Sequence, residues 1–300
     1  MSDLAWCGPE CIPPRMGLDQ AFGYCEKLAK SHYENFSVTN LWLPADIRPH
    51  FTSIYAYCRW SDDLADEIGD SNRSSKLLAW WKDQLQASMR GEASHPVFIA
   101  LHHTIRLFSM RIEPFEDLLS AFVQDQTVKS YSDEAQLLEY CRRSANPVGR
   151  LILALARTSD SKSIEWSDSI CTGLQIANFC QDVAVDAQRG RVYLPKSRMD
   201  QVGITPNDWM AGNENARKAL SDWVDDAHQH LSNGEPLIAH GPTWLRRSVQ
   251  LFVGGGRQIL RNIANNRYDV WRNPPEVTKL QKLNLVLRAL SGVGTRGPKR

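Results

Sequence analysis

Residues 51–67 read FTSIYAYCRWSDDLADE and residues 172–193 read TGLQIANFCQDVAVDAQRGRVY. At about 100° per residue, Phe51, Tyr55, Arg59, Asp62 and Asp66 fall within roughly 80° of one another on a helix. Gln175, Asn178, Asp182 and Asp186 share a stripe of about the same width in the second stretch. Each stripe ends in two aspartates four residues apart, about 6 Å along a helix axis. Like charges at that spacing disfavour a helix by a few tenths of a kcal/mol, so a cation is expected to offset them. Ala177, Val183, Ala184, Val185 and Ala187 make the rest of the second stretch small or apolar, and buried carboxylates without a partner are costly. A face built this way is expected to meet a metal ion or a guanidinium.

Outward from these stretches the text stays helical. Residues 18–30 form one helix, and Pro44 and Pro49 bracket the start of a long one running to about Ile68. Residues 69–75 read as a turn with a serine cap before a helix carrying Trp80 and Trp81. Gly91 to Pro96, Glu113-Pro114 and Asn146-Pro147 break further helical stretches, and residues 203–215, 233–242 and 273–275 read as loops. Apolar residues recur at three- and four-residue spacing (Leu77, Leu78, Trp81, Leu85), while period-two alternation is scarce. The expected fold is all-α: one domain of about ten helices over residues 18–290. An irregular leader (1–17) precedes it and a flexible basic tail (291–300) follows. Most of the ten tryptophans are expected in the core or at an interface.

Composition removes several classes of function. Thirty-five Lys and Arg against 34 Asp and Glu leave a formal charge of +1, with no basic field to attract nucleic acid. Seven cysteines without a CxxC pair indicate neither a disulfide framework nor a zinc ribbon. No run approaches the roughly 18–20 apolar residues that cross a bilayer, and the first fifteen residues lack a secretory pattern. A cytoplasmic setting is expected. A di-iron bundle needs Glu-x-x-His pairs on helices, and the one such spacing, Glu92 to His95, sits in a loop. Gly254 to Gly256 lacks the strand and helix of a dinucleotide fingerprint, so no nicotinamide or flavin is expected and a tight helix contact is the better reading. Cys58 and Cys180 read as packing thiols, and Asp222, Asp225 and Asp226 as a surface cluster.

Two acid pairs, each with polar or aromatic companions, suit one chemistry. Mg²⁺ takes one or two carboxylates and completes its shell with water and phosphate oxygens, while Arg59, with Arg189 or Arg191, offers bidentate pairing to a diphosphate. Metal and guanidinium stabilise a departing diphosphate. The carbocation left behind needs a dry interior with aromatic faces.

YAYCRWSDDLADE and LQIANFCQDVAVDAQRGRVYLP resemble the DxxxD and DxxED motifs of the squalene/phytoene synthase family. The resemblance runs from SHYENF near residue 31 to at least Tyr268 and implies an all-α isoprenoid synthase fold, a single-domain helical bundle around a central cavity. It implies that Asp62, Asp66, Asp182 and Asp186, with Asn178, hold roughly two or three Mg²⁺ ions. Tyr55, Arg59, Gln175, Arg191 and Tyr193 then fall at motif positions that contact substrate or diphosphate, and His32 at that of a histidine near the diphosphate. Phe36 would line the cation, and Val148, in YCRRSANPVG (140–149), lies on a helix break facing the reacting chains.

Within the family, HYENF, YCRRSANPVGRLIL and NFCQDVAVDAQRGRVYLP are most similar to the branch that converts presqualene diphosphate into hydroxysqualene on a bacterial route to hopanoids. That resemblance implies a C30 isoprenoid diphosphate substrate. Its implied partners are a presqualene diphosphate synthase upstream and a flavin-dependent, desaturase-like reductase downstream. Peripheral membrane contact, through apolar patches near the pocket mouth, is expected from substrates and products of this kind. Head-to-head condensation of farnesyl or geranylgeranyl diphosphate is the alternative. Val185 stands where the family's second motif has glutamate, and Gln181 where many relatives have arginine. One carboxylate fewer suits an enzyme that ionises one diphosphate rather than two in succession.

Overall fold

The computed structural model describes residues 4–11, 15–31 and 42–291. Among these residues there is no strand, only an isolated bridge between Ser130 and Val192, and the fold is all-α as the periodicity predicts. The chain groups into two compact units, Met1–Thr127 with Leu151–Arg157, and Val128–Arg150 with Thr158–Arg300.

The first unit holds α1 (Leu4–Cys7), α2 (Leu18–Ser31), α3 (Arg48–Asp66), α4 (Ser71–Met89), α5 (Pro96–Phe108) and α6 (Glu113–Asp125). The leader read as irregular thus carries one helical turn, with Cys7 buried. Pro49 sits in the first turn of α3, where its missing N–H costs nothing. The cap of α4 is Asp70 rather than a serine: its carboxylate accepts from the N–H groups of Asn72 and Arg73.

Behind α3 lies an aromatic core. Trp60 and Trp81 stack with ring centres 5.1 Å apart, and both are fully buried. Their indole N–H groups donate to Tyr24 Oη at 2.9 Å and Ser61 Oγ at 3.0 Å. Tyr57 donates to the Phe115 carbonyl at 2.8 Å. With one side of α3 committed to this core, the stripe of Tyr55, Arg59, Asp62 and Asp66 is left on the helix's more open side. His95 is enclosed by Trp60, Trp80 and Trp81. Its Nδ1 accepts from Val97 N–H to cap α5, and burial lowers its pKa to about 3. The histidine of the Glu92–His95 spacing is a neutral helix cap.

The second unit holds α7 (Glu134–Ser144), α8 (Asn146–Leu155, grouped with the first unit from Leu151), α9 (Ser161–Gln181), α10 (Val183–Gln188), α11 (Lys196–Gln201), α12 (Pro206–Ala211), α13 (Glu214–Gly234), α14 (Thr243–Asn265) and α15 (Lys279–Ser291), with a 3-10 turn at Glu235–Ala239. The excess over about ten helices comes mainly from α1 and α10–α12, of four to six residues each. Pieces that short show no readable period.

The main packing partner of α9 is α13, and two glycines allow the approach. A Cβ on Gly173 would lie 3.0 Å from Leu231 N and 3.1 Å from Ala227 O, and one on Gly234 would lie 2.4 Å from Trp166 O. Of the Gly254–Gly256 run, Gly256 makes the expected tight contact, since a Cβ there would meet Leu174 Cδ2 at 2.7 Å.

Gly234→Ala gains up to about 1 kcal/mol in helix propensity against a clash with backbone that cannot turn aside. The clash dominates, and a net loss of about 1–3 kcal/mol is expected in urea unfolding. Gly173→Ala, with contacts near 3.0 Å, should cost less; equal stability of Gly234→Ala and parent would contradict the close-packed α9–α13 seam.

Candidate active site

The acidic face of α3 carries its own cation. Arg59 Nη1 lies 3.2 Å from Asp62 Oδ2, while Nη2 lies 2.8 Å from Glu67 Oε1 and pairs with Asp63 Oδ1. This is the guanidinium that the Asp62/Asp66 spacing called for. Asp62 is half exposed, and Asp66 is exposed at the end of the helix. Tyr55, one turn before Arg59, is partly buried; burial raises its pKa, and Arg59 opposes the rise. Arg59 Nε is buried and makes no hydrogen bond among the described residues, a donor suited to one more anionic acceptor.

Two members of this cluster were not among the candidates: Asp63 and Glu67. Asp63 stands four residues after Arg59, the spacing of a helical ion pair, and that was the signal available. Its side chain is only 11% exposed. Burial pushes its carboxyl up to about 6, with Arg59 pulling down and Glu67 and Asp62 pushing further up.

The second acidic face is not one continuous helix. Asp182 closes α9 with φ −97° and ψ 15°, and α10 begins at Val183. The Asp182 carboxylate makes no capping hydrogen bond to α10. The ladder nevertheless spans the break: Asp182 N–H donates to Asn178 O at 2.9 Å, and Asp186 N–H donates to Asp182 O at 2.8 Å. The four-residue succession of Asn178, Asp182 and Asp186 therefore survives the break. Gln175, Asp182 and Asp186 are partly buried and Asn178 is exposed. Burial raises the pKa of Asp182, and Arg189 counteracts it.

The loop after α10 is fixed by backbone and by stacking. Arg191 N–H donates to Asp186 O at 2.8 Å, and Val192 N–H to Lys129 O at 2.8 Å. Lys196 N–H donates to Tyr131 O at 2.9 Å. Tyr193 is thereby laid on Phe179, with ring centres 3.9 Å apart and planes 11° apart. Tyr131 and Tyr140 stand 5.9 and 6.1 Å from Tyr193. Phe179 and Tyr131 were missed, because a stack built from three separate segments has no periodic signature.

The expected helix break falls at Ala145, between α7 and α8. Asn146 Oδ1 accepts from Thr172 at 3.0 Å, and Arg150 pairs with Asp168 at 2.9 and 2.6 Å, fixing the first turn of α8 to α9. Val148 there is 40% exposed. His32 and Phe36 lie outside the described residues.

All seven cysteines are free thiols. Burial raises Cys58 to about 12 and Cys180 well above its ordinary value, which suits packing and not metal ligation. Of the third acidic cluster, Asp222 and Asp225 are exposed and Asp226 pairs with Arg198. Among the described residues no group of three or more His, Cys, Asp or Glu side chains is arranged to hold a metal by itself. The available donors are paired carboxylates, the hard oxygen ligands to which Mg²⁺ adds water and phosphate.

A carboxyl that holds its proton more tightly folded than unfolded removes stability as pH rises between the two pKa values. For Asp63 that window runs from 3.8 to about 6. Asp63→Asn should flatten the decline in that window and be at least as stable as the parent above it, measured by urea unfolding across pH. A variant less stable than the parent above the window would show ionised Asp63 to be net stabilising.

The squalene/phytoene synthase family model matches residues 29–283. The crystal structure of squalene synthase HpnC from Alicyclobacillus acidocaldarius is 38% identical, with a TM-score of 0.80, over 84% of this chain and 95% of that one. Phytoene synthase from Arthrospira platensis is 28% identical over 288 residues, 91% of this chain and 93% of its own length. Presqualene diphosphate synthase from Rhodopseudomonas palustris is 27% identical over 249 residues, 82% and 89% of the two chains. With both aspartate pairs inside the matched span, the chain belongs to the squalene/phytoene synthase family.

Proposed function

We propose that this chain is a Mg²⁺-dependent isoprenoid synthase that converts presqualene diphosphate and water into hydroxysqualene and diphosphate. The observation that carries the choice within the family is Val185. The second acidic segment presents two carboxylates, Asp182 and Asp186, and an exposed apolar side chain where the family motif has a third acid. Of the three relatives above, the squalene synthase has the greatest identity, at 38% against 28% and 27%.

In this reading Asp62, Asp66, Asp182 and Asp186, with Asn178, are the metal-holding groups. Bound Mg²⁺ supplies positive charge to the oxygens of the departing diphosphate. Arg59 and Arg191 pair with the same diphosphate, and Arg59 has a buried Nε–H to give. The carbon–oxygen bond breaks with both electrons leaving on diphosphate. The cyclopropylcarbinyl cation rearranges, water adds to it, and a proton is lost. Tyr55, Tyr193 and Phe36 line the cation with aromatic faces. Tyr193 is suited to this because stacking on Phe179 sets the orientation of its ring. Gln175 positions a phosphate oxygen or water, and Val148 contributes apolar wall. A presqualene diphosphate synthase would supply the substrate and a flavin-dependent reductase would consume the product.

The alternative is head-to-head condensation of two farnesyl or two geranylgeranyl diphosphates, favoured by the lengthwise similarity to phytoene synthase. Purified protein given Mg²⁺ and each substrate separately distinguishes them. Hydroxysqualene from presqualene diphosphate, with no product from farnesyl diphosphate, is expected. Presqualene diphosphate from farnesyl diphosphate, or phytoene from geranylgeranyl diphosphate, would overturn the reading in favour of the transferase. Asp62→Asn and Asp182→Asn should each lower turnover by about 10²–10³-fold with helicity retained. Full turnover in either variant, or in excess chelator, would contradict the metal assignment.

A further inference from the structure

No helix among the described residues is long and apolar enough to cross a membrane, yet α15 presents an apolar face to solvent. Leu280, Leu283, Leu287 and Leu290 are 68%, 54%, 53% and 48% exposed. Their spacing of three, four and three residues puts them within about 80° of one another on the helix. The opposite side is the one committed to the fold. Ala289 is 1% exposed. Gln281 exchanges a reciprocal pair of amide hydrogen bonds with Asn262 of α14, both at 3.1 Å, and Gln250 of α14 donates to Arg288 O at 3.3 Å. These bonds set the rotation of α15 and keep the leucines outward.

Charge says what this face is suited to meet. From Val277 to Arg300 the sequence has Lys279, Lys282, Arg288, Arg296, Lys299 and Arg300 and no Asp or Glu. Lys279 and Lys282 are exposed. Around the helix, Lys279 stands at the margin of the leucine stripe, about 20° from Leu290, with Lys282 about 60° further round on the same side, while Arg288 lies toward α14. Positive charge also accumulates against α14, where burial, Arg257 and Arg288 lower the pKa of Arg261. A leucine stripe flanked by long cations, on a helix of 13 residues, has the layout of an element lying in the headgroup region. Its leucines enter the acyl boundary, and its cations reach lipid phosphates. A second copy of the same face would bring two basic helices together.

We infer that α15 is a membrane-surface docking helix that seats this protein on anionic lipid bilayers through Leu280, Leu283, Leu287 and Leu290. The inference stands on this face alone and does not depend on which family reaction the enzyme performs.

Cosedimentation of the full chain with vesicles tests it. The parent should pellet with phosphatidylcholine–phosphatidylglycerol vesicles, stay in the supernatant with phosphatidylcholine alone, and be released by salt. Leu283→Glu/Leu287→Glu and Lys279→Glu/Lys282→Glu, both at exposed positions, should each reduce the bound fraction by about tenfold or more. Circular dichroism checks folding, and the charge variant alone suffices if the leucine variant unfolds. A parent that ignores anionic vesicles, or folded variants that bind like the parent, would overturn the inference. A parent dimer without vesicle binding that the leucine variant converts to monomer would assign the face to a second copy instead.

Discussion

Three carboxylates at the end of one helix, Asp62, Asp63 and Glu67, are held by the single guanidinium of Arg59, and this pairing governs the acidic face of α3. Like charges at helical spacing cost a few tenths of a kcal/mol each. An ion pair at the same spacing on a partly exposed helix returns a similar few tenths of a kcal/mol, and Arg59 makes three such contacts at once. Arg59, in contact with Asp62, Asp63 and Glu67, therefore outweighs the repulsion, and α3 can present acids from a helix whose other side is filled with tryptophan. Desolvation still prevails at Asp63, whose carboxyl is raised in spite of its partner. In the proposed reaction the same guanidinium would take a second role beside counter-ion to its own helix, as ligand for the diphosphate, and it has a buried Nε–H that the ion pairs leave unused.

The second acidic segment is organised by different forces. There the acids straddle a helix break, and what fixes the following loop is backbone pairing with the Lys129–Tyr131 segment and the face-to-face stack of Tyr193 on Phe179. Two glycines lock α9, the helix that leads into this segment, against α13. Position comes from packing in this unit and from charge in the other, so core substitutions and charge substitutions should disturb the two clusters differently.

Much of this was legible in the sequence because it is periodic. The long helix beginning near Pro49, the break inside YCRRSANPVG, the stripe of Tyr55, Arg59, Asp62 and Asp66, and the need for a cation near it all follow from 3.6-residue spacing and local turn chemistry. What escaped is local in energy or distant in sequence. The interruption at Asp182 is a change in backbone angle that leaves the four-residue spacing intact, so the pattern could not reveal it. Asp70 replaced a serine as the cap of α4 because several adjacent polar residues could accept those N–H groups, and only geometry chooses among them. The Tyr131–Phe179–Tyr193 stack joins three segments. The exposed leucines of α15 look from sequence like any amphipathic helix, and only burial shows which face was left outside.

The proposed reaction requires both aspartate pairs to serve one diphosphate. Crystals grown with Mn²⁺ in place of Mg²⁺ and with inorganic diphosphate test it most directly, through anomalous scattering from the metal. Mn²⁺ ions liganded by Asp62 or Asp66 and by Asp182 or Asp186, with oxygens of a single diphosphate completing both shells, are expected. Mn²⁺ on one pair alone, or on outer acids such as Asp222 and Asp225, would contradict it.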